Sequence, residues 1–363
     1  MARKIKEFMT FWDNPEGTVF LQRDREELIG SESSGGRNLP KFRPFDLLKG
    51  ITYSDSGFQS IPVYDGFDMT VFVECPAGAY PFFHREVDQD VAYLQYQGKS
   101  TVETEYGVFE IESGEMLLVP RGASQRTIGS PDCLRWALYY RDPVGAGVDL
   151  DNRTSDYRFE VRRQPAIVYD APPPDRRRGV RSDGKIREVI RIRNHPGDDT
   201  WVWRNYESLV DSKLEGGRPV LKFGFFNFFR GRTGTGATMY IPTPLVSSTI
   251  KAECFNTVGE QFGFHRGCDA EEMWIQFAGA AMNEAEFGEY ELGTSEMAQI
   301  PMGISHRVVA LEGYVRCTLY AKNYMRQLVT DKDHVTNTKF TVKAQNLYPQ
   351  AVNQSSEPIR PTS

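Results

Sequence analysis

His265-Arg266-Gly267-Cys268-Asp269-Ala270-Glu271 decides how this chain is read, because the same frame appears 181 residues earlier as His84-Arg85-Glu86-Val87-Asp88-Gln89-Asp90. Working outward from that stretch, residues 84–140 lie over 265–321 at a constant offset of 181, with no gap. Gln95 falls on Gln276, Gly98 on Gly279, Gly107 on Gly288, Pro120 on Pro301 and Gly122 on Gly303. Arg126 and Arg135 fall on Arg307 and Arg316. A gapless match that keeps glycines and prolines in step marks an internal duplication. Further upstream, Glu74-Cys75 and Glu253-Cys254 correspond if the frame slips by two residues.

Each copy reads as short strands. Val91 to Tyr96 and Met273 to Phe277 are aromatic and aliphatic runs that end near a glycine, the pattern of a packed strand. Thr101 to Glu105, Phe109 to Ile111, Met116 to Val119 and Leu134 to Tyr140 follow, separated by Ser113-Gly114 and a Pro-x-Gly turn. Short strands with glycine punctuation and little helical period predict an all-β fold, an antiparallel sandwich or small barrel in each copy. The expected division is an N-terminal arm (1–60), an N-terminal barrel (61–142), a linker and packing segment (143–220), a C-terminal barrel (221–324) and a C-terminal tail (325–363). The linker carries Ala171-Pro172-Pro173-Pro174 and the basic run Arg176 to Arg181, read as a solvated connection or as an anion-attracting lip.

Composition narrows the classes. At 363 residues the chain is long enough for two cores. A net charge of -6 gives no reason to expect a nucleic acid partner. No apolar run is long enough to span a membrane, and the N-terminus lacks the apolar core of a secretory signal. Five cysteines, odd in number and without a Cys-x-x-Cys pair, argue against a disulfide framework or a thiolate zinc site. These features point to a cytoplasmic protein.

The chemistry is expected in the second copy. His265 and Glu271 lie on a strand pair, and the turn Pro301-Met302-Gly303-Ile304-Ser305 brings His306 back toward the same cavity. Two imidazoles and one carboxylate covering one face of an ion are the ligand set of a mononuclear Fe(II) oxygenase. The first copy has His84, Asp90 and Gln125 at these places; an amide is a poor ligand for Fe(II), so this site reads as decayed. Arg266 and Arg307 face away from the cavity by strand alternation and read as structural pairing residues. His195, in a polar turn, is the candidate general base from outside the barrel, or else an exposed loop residue. His334 reads as surface, and Cys268 as a neighbour of the ligands or an inert thiol. Phe223, Phe225, Phe226, Tyr240, Phe264 and Trp274 make the second half aromatic; they form core, and some could wall a slot for a planar ring.

The two copies resemble cupin domains, so the chain looks like a bicupin, which implies an all-β duplicated jelly-roll barrel, or double-stranded β-helix. The segment from Gly263-Phe264 through His265-Arg266-x-Cys268 to Glu271 resembles the ligand segment of homogentisate 1,2-dioxygenases, which also keep their metal in the C-terminal barrel. That resemblance implies Fe(II) held by His265, Glu271 and His306. It also implies a ring-cleaving dioxygenase that uses O2 on a small dihydroxylated aromatic substrate of the homogentisate, gentisate or hydroquinone type. The large subunits of hydroquinone dioxygenases are a related group. A metal-dependent lyase or isomerase, or a non-catalytic ligand-binding bicupin, stands as the alternative. Barrel edges of this kind favour a homo-oligomer.

Overall fold

The computed structural model describes residues 4–10, 19–24, 41–49, 58–80, 83–104, 107–142, 145–146, 185–191, 200–205, 220–226, 243–260, 263–285 and 288–329. They form β-strands almost throughout, with one short 3-10 turn at Pro44–Leu48. The N-terminal barrel is built from two sheets. One runs Gly107–Ile111, Ser100–Thr104, Ser124–Gly129, Phe83–Glu86, Lys185–Arg191, Thr200–Asn205. The other runs Leu221–Gly224, Glu115–Val119, Asp90–Gln97, Leu134–Tyr140, Met69–Pro76, Phe58–Gly66, Met325–Gln327. In the C-terminal barrel the corresponding strands join into one sheet through a single 17-residue strand, Ser305–Ala321. Its counterpart in the first copy is broken between Gly129 and Leu134, where Pro131 stands in a turn and cannot donate to a ladder; Glu312 occupies the matching place in the second copy.

The strand pairing extends the duplication to most of the chain. Lys4–Thr10 runs parallel to Phe264–Gly267 and sets Phe8 opposite His265. Lys185–Arg191 runs parallel to Phe83–Glu86 and sets Val189 opposite His84. These two strands are themselves 181 residues apart, with Lys4-Ile5-Lys6-Glu7 against Lys185-Ile186-Arg187-Glu188. Lys41–Phe42 and Leu221–Gly224 repeat the relation, zipping onto Met297–Ile300 and Glu115–Val119. Their lysines make matching ion pairs, Lys41 with Glu296 at 2.9 Å and Lys222 with Glu115 at 2.8 Å. The opening segment of each repeat therefore completes the barrel of the other repeat.

Two expectations change as a result. The N-terminal segment expected as an arm supplies strands to the C-terminal barrel, and the segment expected as a linker supplies Lys185–Arg191 and Thr200–Asn205 to the N-terminal one. The two-residue slip upstream also disappears. Arg135 lies opposite Glu74 and Arg316 opposite Phe255, so the offset of 181 holds there too. Most of the linker, including its proline and basic runs, the tail beyond Val329, and Tyr240, His195 and His334 lie outside the described residues.

Alternation along the strands sorts the side chains into three cores. Ala92, Leu94, Trp136 and Leu138 of the first copy meet Met273, Ile275, Met297 and Leu319 of the second in one cluster between the barrels. Val91, Tyr93, Phe109, Ile111 and Tyr139 fill the N-terminal interior. Phe255, Trp274, Tyr290, Leu292 and Tyr314 fill the C-terminal interior. Paired glycines make the tight turn after each Met116–Val119-type strand: Gly122 and Gly303 adopt φ of 83° and 85°, a region that L residues with a Cβ rarely enter. No helix among the described residues is long and apolar enough to cross a membrane, and all five cysteines are unpaired thiols.

Candidate metal centre

Among the described residues, His265, Glu272 and His306 form a cluster whose ligand atoms all lie within 4.8 Å of one another. The sheet register produces it. Phe264–Gly267 pairs antiparallel with Ser305–Ala321 so that His265 and His306 sit directly opposite, with ring centroids 4.2 Å apart. Glu271–Ala278 pairs with the far end of the same long strand, and its even-numbered residues face the C-terminal interior, as Trp274 does. Glu272 shares that face. Glu271, one residue earlier, points the other way, a consequence of the two-residue period of a strand.

The carboxylate brought to the histidines is thus Glu272, where the sequence reading takes Glu271. Glu271 accepts hydrogen bonds from Gln299 Nε2 at 2.8 Å and from the Met302 backbone N–H at 3.4 Å, fastening the turn that carries His306. Asp90 does the same in the first copy, accepting the Arg121 N–H at 3.0 Å and its Nε at 3.1 Å. The acid present in both copies is the turn fastener. The acid unique to the second copy is Glu272, and its counterpart is Val91.

The cluster is prepared for an ion. The Nδ1 of His265 lies 3.2 Å from the Gly263 carbonyl oxygen and the Nδ1 of His306 lies 3.0 Å from that of Ile304. A carbonyl only accepts, so each Nδ1 carries its proton and each Nε2 keeps a lone pair. The Nε2 of His306 is buried and has no hydrogen-bond partner among the described residues; Glu272 Oε2 lies 3.6 Å away, beyond a hydrogen bond. Trp274 Nε1 donates to the same Oε2 at 3.1 Å and fixes the carboxylate. A Cβ at Gly267 would stand 3.2 Å from Glu272 Oε1, so the missing side chain leaves that oxygen room.

Electrostatics agree with the geometry. Burial and the neighbouring His306 push the His265 imidazole down to about 3, holding it in the neutral, ligating form. Burial alone would raise the Glu272 carboxyl, but His306 and His265 outweigh it and lower it to about 2, so it stays anionic. An orphaned lone pair, two oriented imidazoles and one anionic carboxylate fit a divalent ion.

The other candidates fall into place around this centre. Arg266 pairs with Glu7 at 3.3 Å and donates to the Gly303 carbonyl; Arg307 makes a two-pronged pair with Glu284 at 2.9 and 2.8 Å. Both are structural, and Arg85–Glu188 and Arg126–Glu103 repeat them in the first copy. Cys268 directs its thiol at the Arg266 carbonyl oxygen, 3.7 Å away, and is not part of the cluster. His84 and Gln125 face one another across paired strands, while Asp90 is turned away from them by its bond to Arg121.

No protein-family model and no curated protein matches this chain. Solved structures similar to it include a cupin barrel protein and oxalate decarboxylases. A cupin 2 conserved barrel domain protein from Leptotrichia buccalis shares 10% identity at a TM-score of 0.47, covering 79% of this chain and 98% of that one. A Lactobacillus farciminis oxalate decarboxylase, solved as a formate complex, shares 13% identity at a TM-score of 0.46, with 81% and 90% covered. A Bacillus subtilis oxalate decarboxylase variant shares 15% at 0.45, with 84% and 82% covered. The architecture built up above is a pair of mainly antiparallel β-barrels made from one duplicated unit.

Proposed function

We propose that this chain is an Fe(II)-dependent dioxygenase that cleaves the ring of a small dihydroxylated aromatic compound, of the homogentisate, gentisate or hydroquinone type, and places both atoms of O2 in the product. One observation carries the reading: two imidazoles and one carboxylate converge from one side, with Nδ1 protons already committed to backbone carbonyls. That donor set leaves coordination positions open and is characteristic of non-haem Fe(II) oxygenases. His265, Glu272 and His306 would hold the metal, which when bound supplies Lewis-acid and electron-transfer chemistry toward O2 and a phenolic oxygen.

The protein's own contribution is orientation and exclusion of water. Trp274 lies 5.2 Å from the His306 ring, edge to face, and holds Glu272 through its indole N–H. Phe255, Tyr290 and Tyr314 continue the aromatic wall, suited to a planar ring. The resemblance to homogentisate dioxygenases supports the substrate class over 265–306, with the carboxylate displaced by one position from that pattern.

The test is oxygen uptake by protein loaded anaerobically with Fe(II), offered gentisate, homogentisate, substituted hydroquinones and catechols, with His306→Ala as control. Uptake triggered by one substrate class and absent from the variant is expected. Iron bound without uptake across the panel would sink the dioxygenase reading in favour of a non-oxidative cupin lyase or isomerase.

A further inference from the structure

We propose that the N-terminal barrel is a second binding site, independent of metal, for a small hydroxylated carboxylate held by His84, Gln125 and Arg135. Both ring nitrogens of His84, Oε1 of Gln125 and Nη1 of Arg135 are buried without a hydrogen-bond partner among the described residues. These side chains are only 5%, 1% and 1% exposed. Leaving a buried polar atom unmet is costly, so four of them in one interior mark a place shaped for something else.

The three side chains converge. Gln125 and His84 are direct partners across paired strands. Two residues beyond Gln125, on the same strand face, Thr127 Oγ1 accepts from Arg135 Nη2 at 3.1 Å. Glu74 takes Nε of Arg135 at 2.8 Å and also Nη2, which leaves Nη1 as the group turned to the interior. Aromatic rings wall the space: Tyr80 stands 5.4 Å from the His84 ring, and Tyr93 lies 3.8 Å beneath the Arg135 guanidinium.

The vacant hydrogen-bonding capacity defines the ligand. Burial first, then Arg191 and Arg135, push the His84 imidazole well below its ordinary range, so it is neutral and offers one donor and one acceptor. Arg135 Nη1 offers donors, and Gln125 Oε1 an acceptor. A carboxylate accepts from Arg135 Nη1 and from the imidazole N–H. A hydroxyl donates to Gln125. A metal has no place here, because Val91 stands where Glu272 stands in the other barrel and Gln125 where His306 stands.

The experiment is isothermal titration of the full chain, in chelator, with glycolate and with 4-hydroxybenzoate, on wild type, Glu272→Gln and Gln125→Leu. We expect at least one probe to bind at one site per chain, equally in wild type and Glu272→Gln. Gln125→Leu should weaken binding by about tenfold or more without lowering Tm, since it removes an unmet acceptor. His84→Phe serves the same purpose should Gln125→Leu fail to fold. No binding of either probe overturns the proposal. So does binding that vanishes in Glu272→Gln and survives Gln125→Leu, which assigns it to the other barrel. A lowered Tm for Gln125→Leu with no binding in wild type identifies a structural water and overturns it as well.

Discussion

The N-terminal and C-terminal barrels keep the same frame and differ in a few interior positions. The frame contacts repeat nearly atom for atom: Arg85–Glu188 with Arg266–Glu7, Arg126–Glu103 with Arg307–Glu284, and Asp90 on the N–H of residue 121 with Glu271 on that of residue 302. The interior does not repeat. Val91 faces Glu272 across the duplication, Gln125 faces His306, and Glu74 faces Phe255. In the first barrel Arg135 has its carboxylate in Glu74. In the second, Arg316 leans on the neutral oxygens of Gln276 and Asn283 and on the rings of Trp274 and Tyr314. Scaffold and chemistry are thus separable: strand alternation puts the fasteners on one face and the reactive groups on the other.

The largest effect that tests this comparison is at the two adjacent glutamates. Glu272→Gln should weaken metal binding by more than about 100-fold, since even removal of a supporting residue behind a ligand costs about 10–100-fold. Glu271→Gln should leave metal loading intact and lower unfolding free energy by about 1–3 kcal/mol through the loosened turn. Metal titration beside thermal melts separates the two; if Glu271→Gln alone loses the metal, the assignment of roles is reversed.

A gain of function is the next test. Val91→Glu together with Gln125→His gives the N-terminal barrel the same three donors around His84, and the number of ions bound per chain should rise from one to two. A stoichiometry that stays at one would mean that ring orientation, which backbone carbonyls supply at His265 and His306, limits the first barrel more than donor identity.

The smallest effect is in acid. His84 is neutral in the folded chain because burial, Arg191 and Arg135 depress its pKa, whereas in the unfolded chain it titrates near 6.5. Above pH 6.5 neither state holds the proton and stability does not change. As pH falls below 6.5 only the unfolded state takes it up, so the folded state loses up to about 1.4 kcal/mol per pH unit. Denaturant melts of His84→Phe should show a shallower loss between pH 6.5 and 5 than wild type. Parallel curves would place a counter-charge beside the imidazole.

Much of this was legible in the sequence. The strands, the Pro-x-Gly turns and the pairing roles of Arg266 and Arg307 follow from glycine spacing and alternation. The carboxylate was not legible from spacing from His265, because adjacent acids on a strand face opposite sides and spacing alone does not say which side is inward. The duplication itself holds the missing signal: an acid present in both copies belongs to the frame, and the one found only in the second belongs to the centre. The exchanged segments were hidden for another reason. Lys4-Ile5-Lys6-Glu7 does match Lys185-Ile186-Arg187-Glu188 in the same frame, but each strand pairs with a partner far along the chain, and spacing alone does not say which barrel an opening segment joins.

That exchange bears on how the chain is made. Glu7 and the Arg266 it binds are 259 residues apart, and loop closure over such a span is slow to be rewarded. On a ribosome Lys4–Thr10 emerges well before its neighbour Phe264–Gly267. The N-terminal barrel has the strands of the second opening segment once residue 224 is out, and its edge strand Met325–Gln327 follows later. The C-terminal barrel therefore closes only when Phe264–Gly267 meets a strand made about 250 residues earlier, and changes within residues 4–10 bear on a cluster that lies far from them in sequence.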